Sequence, residues 1–121
     1  MPHRRNMFLR PQGTSLDGAR VLRIATHASG SSCLVVMMED RRAYATGETL
    51  TVAPWDLVEA LEWGDRVAYE PTYLAGNHAD AREYKRRGQV VKLLEGTLVQ
   101  VQWDDGLGPS TFSVFQLRRV P

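Results

Sequence analysis

A chain of 121 residues has room for one ordinary domain or for two very small ones. With 43% apolar and 24% charged residues its composition is that of a globular protein rather than of a disordered or membrane class, and a net charge of +1 supplies no overall field to attract nucleic acid. Cys33 is the only cysteine, which excludes an internal disulfide and a cysteine-rich zinc site.

Along the chain, "MPHRRNMFLRPQG" (1–13) is basic and lacks the apolar core of a secretion signal, so a cytoplasmic location is expected. Residues 1–17 read as an N-terminal extension, with His3 beside Arg4 and Arg5. "DGARVLRI" (17–24) then opens an alternating run. In "THASGSS", His27 lies close to Ser29, Ser31 and Ser32, yet no acid is placed to orient it. A polar hairpin loop is the reading, not a catalytic dyad. "CLVVMM" (33–38) is a strand-like run far too short to cross a bilayer, and Cys33 within it reads as a small buried hydrophobe. "TLTVAPWDLVEA" (49–60) is broken by Pro54, after which Leu57, Val58 and Leu61 stand at helical spacing and suit a short helix.

A boundary falls near 62–63, where "WGDRVAYE" (63–70) repeats the feel of 17–24. The stretch "AGNHADAREYKRRG" (75–88) stays open between a short helix capped at Asn77 and the tip of a long hairpin. His78 and Asp80 could pair on a metal, but no third ligand is suggested. "GQVVKLL" and "TLVQVQW" flank a turn at Glu95-Gly96, and Leu98 to Trp103 alternates as a half-buried strand does. "TFSVFQLRRV" (111–120) closes the chain. Each half therefore runs from an opening strand through a run ending in two acids (Glu39-Asp40, Asp104-Asp105) to a last strand, in the same order. That order predicts a duplicated unit.

Gly-Asp-Arg-Val, then Gly-Gln-Val-Val, then Leu-Val-Gln-Val-Gln-Trp-Asp-Asp-Gly, then Phe-Ser-Val-Phe-Gln-Leu-Arg-Arg-Val resembles the SH3-like barrels of the Tudor type, over residues 64–120 well and 18–60 weakly. The resemblance implies an all-β protein of two fused SH3-like (Tudor-type) small barrels. It assigns 1–17 to an extension, 18–62 to the first barrel, and 63–121 to the second, with a long inserted loop or short helix at 71–88. One SH3-like family, the small plasmid-borne dihydrofolate reductases, is enzymatic. Its Val-Gln-Ile-Tyr strand has no counterpart in "TFSVFQLRR", so no enzyme activity is expected.

Binding is the expected work, with no cofactor and no metal. One candidate surface is basic: Arg82, Lys85, Arg86, Arg87 and Lys92, joined by Arg118 and Arg119, could hold phosphates, with Tyr84 able to stack on a base. The other is aromatic: Tyr69, Tyr73, Tyr84, Trp103 and Phe112 fall near the strand ends where Tudor-type barrels place a cage for a cation. Alternation sets Trp103 in phase with Val99 and Val101, which points it into the core. In the first copy Met38 stands for Trp103 and Leu50 for Phe112. The expectation is a non-catalytic protein–protein interaction module, of the kind a bacterial or phage accessory factor would use. The alternative is a DNA- or RNA-binding regulator working through 82–92. No membrane partner is expected, and homodimers paired through exposed edges stay open.

Overall fold

The computed structural model describes residues 5–76 and 81–121; His3, Arg4, the Asn77 cap and the His78–Asp80 pair lie outside them. The chain divides after Ala60 into two compact units. In the first, β1 (Met7–Leu9), β2 (Arg20–Thr26), β3 (Cys33–Met37), β4 (Thr49–Val52) and β5 (Leu57–Glu59) form one antiparallel sheet in the order β4-β3-β2-β1-β5. In the second, β6 (Arg66–Tyr69), β7 (Gly88–Leu93), β8 (Leu98–Trp103), β9 (Ser110–Ser113) and β10 (Leu117–Arg119) form another in the order β10-β6-β7-β8-β9. The protein is all-β apart from short helical turns, and each sheet has two open edges; the ladders do not close it into the barrel expected from the sequence.

Met7–Leu9 falls within the segment 1–17 and is the middle of a three-strand ladder, with Met7 opposite both Val21 and Glu59. Leu9 shares the inward face of β2 and β3, and Phe8, on the opposite face of β1, is buried as well. Leu9, Val21, Cys33, Val35, Met37 and Leu57 turn to one face and form the buried core of the first unit with Ala19. Pro54 opens a 3-10 turn over Pro54–Asp56, and Leu57 is already extended, so the helix suggested by Leu57, Val58 and Leu61 does not form. In the second unit the equivalent 3-10 turn, Val114–Gln116, is held by a reciprocal cap. Ser113 Oγ accepts from the Phe115 amide at 3.3 Å, and Gln116 Oε1 accepts from the Ser113 amide at 2.9 Å. The first unit has Ala53 at the capping position and uses Pro54 instead, whose fixed φ suits the first position of the turn.

The registers make the two units equivalent strand by strand. Met7, Val21 and Met37 lie side by side across three strands, as do Val67, Gly88 and Trp103. Leu9 faces Leu57 as Tyr69 faces Leu117, and Cys33 faces Val52 as Val99 faces Phe112. A β-bulge falls at Ile24 in one unit and at Val91 in the other, the same place in both ladders. The counterparts of Trp103 and Phe112 are therefore Met37 and Val52, not Met38 and Leu50. Val52 and Leu57 are as far apart in sequence as Phe112 and Leu117, so no insertion at Pro54 is needed. "DGARVLRI" also belongs to a second strand and "WGDRVAYE" to a first, so their likeness joins non-equivalent elements.

The insertion between β6 and β7 carries α1 (Pro71–Gly76) and α2 (Ala81–Lys85). Pro71 starts a helix rather than merely ending a strand, and the Glu70 carboxylate accepts from the Thr72 and Tyr73 amides at 2.9 and 3.3 Å, which caps it.

Volume is traded between neighbouring strands. Where the first unit has Val21 beside Met37, the second has Gly88 beside Trp103, and both pairs are buried. A Cβ on Gly88 would sit 2.7 Å from Val101 Cγ1, 2.8 Å from the Gln102 carbonyl oxygen and 2.8 Å from Trp103 Cε3. Alanine for glycine inside an element normally stabilises by about 0.5–1 kcal/mol. Here Gly88→Ala is expected to destabilise by about 1–3 kcal/mol, because the clash is with backbone and a packed ring. Gly88→Val with Trp103→Met should recover part of the loss. Urea unfolding of the wild type and the two variants checks this, and a neutral or stabilising Gly88→Ala would contradict it.

Candidate functional site

Four of the five predicted aromatic residues come together. β6 ends on Tyr69, β8 ends on Trp103, β9 carries Phe112, and the first turn of α1 brings Tyr73 over the same spot. Tyr69 is the hub: its ring centroid lies 4.8 Å from Trp103, 5.5 Å from Phe112 and 5.9 Å from Tyr73, and Trp103 meets Phe112 edge-on at 5.6 Å. Trp103 is only 2% exposed, as its phase with Val99 and Val101 predicts. Tyr84 stands apart on α2 with its ring exposed.

The predicted basic residues are spread over three elements. Arg82 and Lys85 are exposed on α2, Lys92 is exposed on β7 opposite Gln100, and Arg118 and Arg119 are exposed on β10 opposite Ala68 and Val67. The two central arginines turn back onto the protein. Arg87 Nη1 donates to the carbonyls of Tyr84 and Arg86 at 3.1 and 3.0 Å. Arg86 lies over the aromatic cluster, its Cζ 4.6 Å from the centroid of Trp103. Its Nε donates to Asp105 Oδ2 at 3.0 Å and its Nη1 to the Tyr69 hydroxyl at 3.3 Å, with Glu83 Oε2 3.8 Å away. The basic and aromatic predictions thus meet at Arg86. Nothing in the spacing of "KRRG" announces this, since the length of the insertion hides which arginine returns to the sheet.

Electrostatics follow the hydrogen bonds. Asp104 accepts from both terminal guanidinium nitrogens of Arg66, Nη1 to Oδ1 at 2.8 Å and Nη2 to Oδ2, and this pulls its pKa below the ordinary 3.8 while raising that of Arg66. Asp105 is lowered first by the Leu107 amide and then by Arg86. Burial alone would lower Arg86, but the Asp105 hydrogen bond and neighbouring negative charge outweigh it and raise its pKa. Desolvation raises Tyr69, which keeps its hydroxyl neutral beside the guanidinium.

The equivalent place in the first unit is open. A groove of about 390 Å³ lies between the β1–β2 loop, β4 and the 3-10 turn, floored by Leu9, Leu16, Leu50 and Val52 and edged by Arg10 and Asp56. Leu9 and Val52 are the counterparts of Tyr69 and Phe112. The wall is well ordered by one side chain: the Asp17 carboxylate accepts from the amides of Gln12, Gly13 and Thr14 at 2.7, 2.9 and 3.1 Å. These amides, Gln12 first, lower the Asp17 pKa. Apart from Leu50, which the sequence offers as a counterpart of Phe112, the groove residues give no signal in the sequence, because β1 is too short to show a period.

His27 Nδ1 lies 2.7 Å from Ser29 Oγ, which lies 2.7 Å from Ser31 Oγ, all on an exposed hairpin tip. The Ser29 amide also donates to His27 Nδ1, at 3.1 Å. Among the described residues no group of three His, Cys, Asp or Glu side chains could hold a metal ion, and no helix is long and apolar enough to cross a membrane. No protein-family model matches the chain, and no curated protein matches it.

The lowered carboxylates make stability depend on acid. Because Asp17, Asp104 and Asp105 have folded pKa values below 3.8, the stability they contribute is complete above that value and is lost as pH falls through the folded values. Asp104→Asn with Asp105→Asn should lower the urea midpoint at about pH 7, and the difference should shrink as pH falls below 3.8 and through the folded pKa values of the two carboxyls. A gap that stayed constant with pH would show that the arginine pairs contribute nothing.

Proposed function

We propose that each unit has the strand arrangement of an SH3-like, Tudor-type barrel with its ladder left open between the edge strands, and that the chain is a non-catalytic protein–protein interaction module whose first unit takes an extended peptide segment. The fold part rests on topology. In both units the last strand lies beside the first, the other three follow in sequence order, and a 3-10 turn precedes the last strand. The resemblance in "GDRV", in an opening strand, and in "VQWDDG", in a later one, supports the same reading.

The functional part rests on a single observation, the groove of the first unit. It has an apolar floor, a polar rim and a capacity suited to one or two side chains. β4, one wall of the groove, is an edge strand of its sheet. The Met37 amide donates to the Glu48 carbonyl, so by antiparallel alternation Leu50 and Val52 bond to β3 and Thr51 turns its amide and carbonyl outward. An extended chain laid along that edge can satisfy those groups while placing a side chain in the groove. The nucleic-acid reading is weakened at its centre, because Arg86 and Arg87 are engaged within the protein. Lys85, Lys92 and Arg118 keep exposed charges for it.

Peptides selected from a displayed random library should shift amide signals of β4 and of the 10–16 loop when titrated into labelled protein. Gln12→Trp, which puts a large ring at the exposed wall, should weaken them about 10-fold or more. Labelled DNA and RNA titrated at about 50 and 200 mM salt supply the counter-test. Tight, steeply salt-dependent nucleic-acid binding without any peptide response would overturn the proposal.

A further inference from the structure

The four edge strands of the two sheets do not offer equal backbones. At β5 and β10 the Ala60 and Val120 amides donate inward, to the carbonyls of Asn6 and Arg66, so by alternation Leu57, Glu59, Leu117 and Arg119 turn their backbones outward. The 3-10 turns take the Leu57 and Leu117 amides through the Pro54 and Val114 carbonyls, and the next outward residue, Glu59 or Arg119, is charged. On β9 the Val114 amide donates to the Thr97 carbonyl, which leaves Thr111 and Ser113 outward, but Gln116 Oε1 holds the Ser113 amide. β4 differs. The alternation that turns Thr51 outward turns Thr49 outward too, neither side chain is charged, and Ala53 is still extended. Natural edges are commonly guarded by charge, proline or bulges, and this one is not.

We infer that the extended chain taken by β4 is β4 of a second copy of this protein, the two strands running antiparallel about a two-fold axis at Thr51. The inference rests on the reading of the first unit given above and names its occupant. In that register the strand is complementary to itself. Thr51 meets Thr51 and exchanges both backbone hydrogen bonds with it, and Thr49 meets Ala53. On the groove side Leu50 comes opposite Val52, so the apolar floor of each groove is extended by apolar side chains of the other copy. No charge meets its like across the axis, and paired threonines suit neighbouring strands. The second unit lacks the same opening, because Phe112, in the place of Val52, is packed against Tyr69 and Trp103. A peptide bound along β4 has to displace the second copy, so its affinity falls as protein concentration rises.

Sedimentation velocity of the whole chain should show mainly monomers at about 5 µM and mainly dimers at about 500 µM, as a short ladder with a dissociation constant of about 50 µM requires. Thr51→Lys and Thr51→Glu each set like charges together on the axis and should stay monomeric, whereas an equimolar mixture of the two should recover the dimer. A wild type that stays monomeric, a Thr51→Lys protein that dimerises as wild type does, or a mixture that fails to recover the dimer would overturn the inference. Hydrogen exchange in the wild type needs no substitution. Between those two concentrations the Thr51 amide should slow about 4-fold while the Thr111 amide does not change. Equal slowing of both, or of neither, would count equally against it. Peptide titration separates this inference from the reading beneath it: a wild type that binds selected peptides and never dimerises overturns the second copy alone, and one that dimerises through Thr51 but binds no peptide overturns the peptide reading alone.

Discussion

Each unit depends on the pairing of its last strand with its first. β5 and β10 are three residues long, as is β1, and none of them could persist alone, since so few residues cannot offset the entropy of ordering them. Side by side, they bring the two ends of the unit together and hold the first strand on both flanks, with Leu57 on Leu9 and Leu117 on Tyr69. The 3-10 turn just ahead of the last strand sets where that strand begins. It is fixed by proline in one unit and by the Ser113–Gln116 cap in the other. Two different local devices thus satisfy one geometric demand.

On that shared frame the units carry different interiors. Leu9, Met37 and Val52 make an aliphatic wall that leaves space beside β4, and Tyr69, Trp103 and Phe112 make an aromatic one that holds a cation. The insertion follows from the second arrangement. α1 supplies Tyr73, and the segment after α2 supplies Arg86, so the added residues 71–87 furnish the cluster rather than merely lengthen a loop. The acidic turn after β8 then fastens it, with Asp104 reaching Arg66 and Asp105 reaching Arg86.

How much of this the residues announce varies with the length of the element. β8 is legible because six residues alternate, and the inward phase of Trp103 follows from it. β1 is hidden: Met7-Phe8-Leu9 is too short for a period and is flanked by Arg5 and Arg10, which read as a solvated terminus. The likeness of "DGARVLRI" to "WGDRVAYE" misleads for a general reason. A turn glycine before a β-branched run marks the start of any strand and carries no information about which strand it is. The aromatic cluster was foreseeable as a set of residues, whereas the turn of Arg86 onto it was not, since that depends on where a 17-residue excursion re-enters the sheet.

The Gly88–Trp103 pair also limits the routes by which one kind of interior can change into the other. Starting from a valine and a methionine, as at Val21 and Met37, the indole cannot arrive first, because even a single methyl at the neighbouring position would stand 2.8 Å from the ring. In such a change glycine without tryptophan leaves a void, which costs stability through lost packing. The two positions are therefore coupled: bulk gained on β8 at this point of the ladder has to be given up on β7.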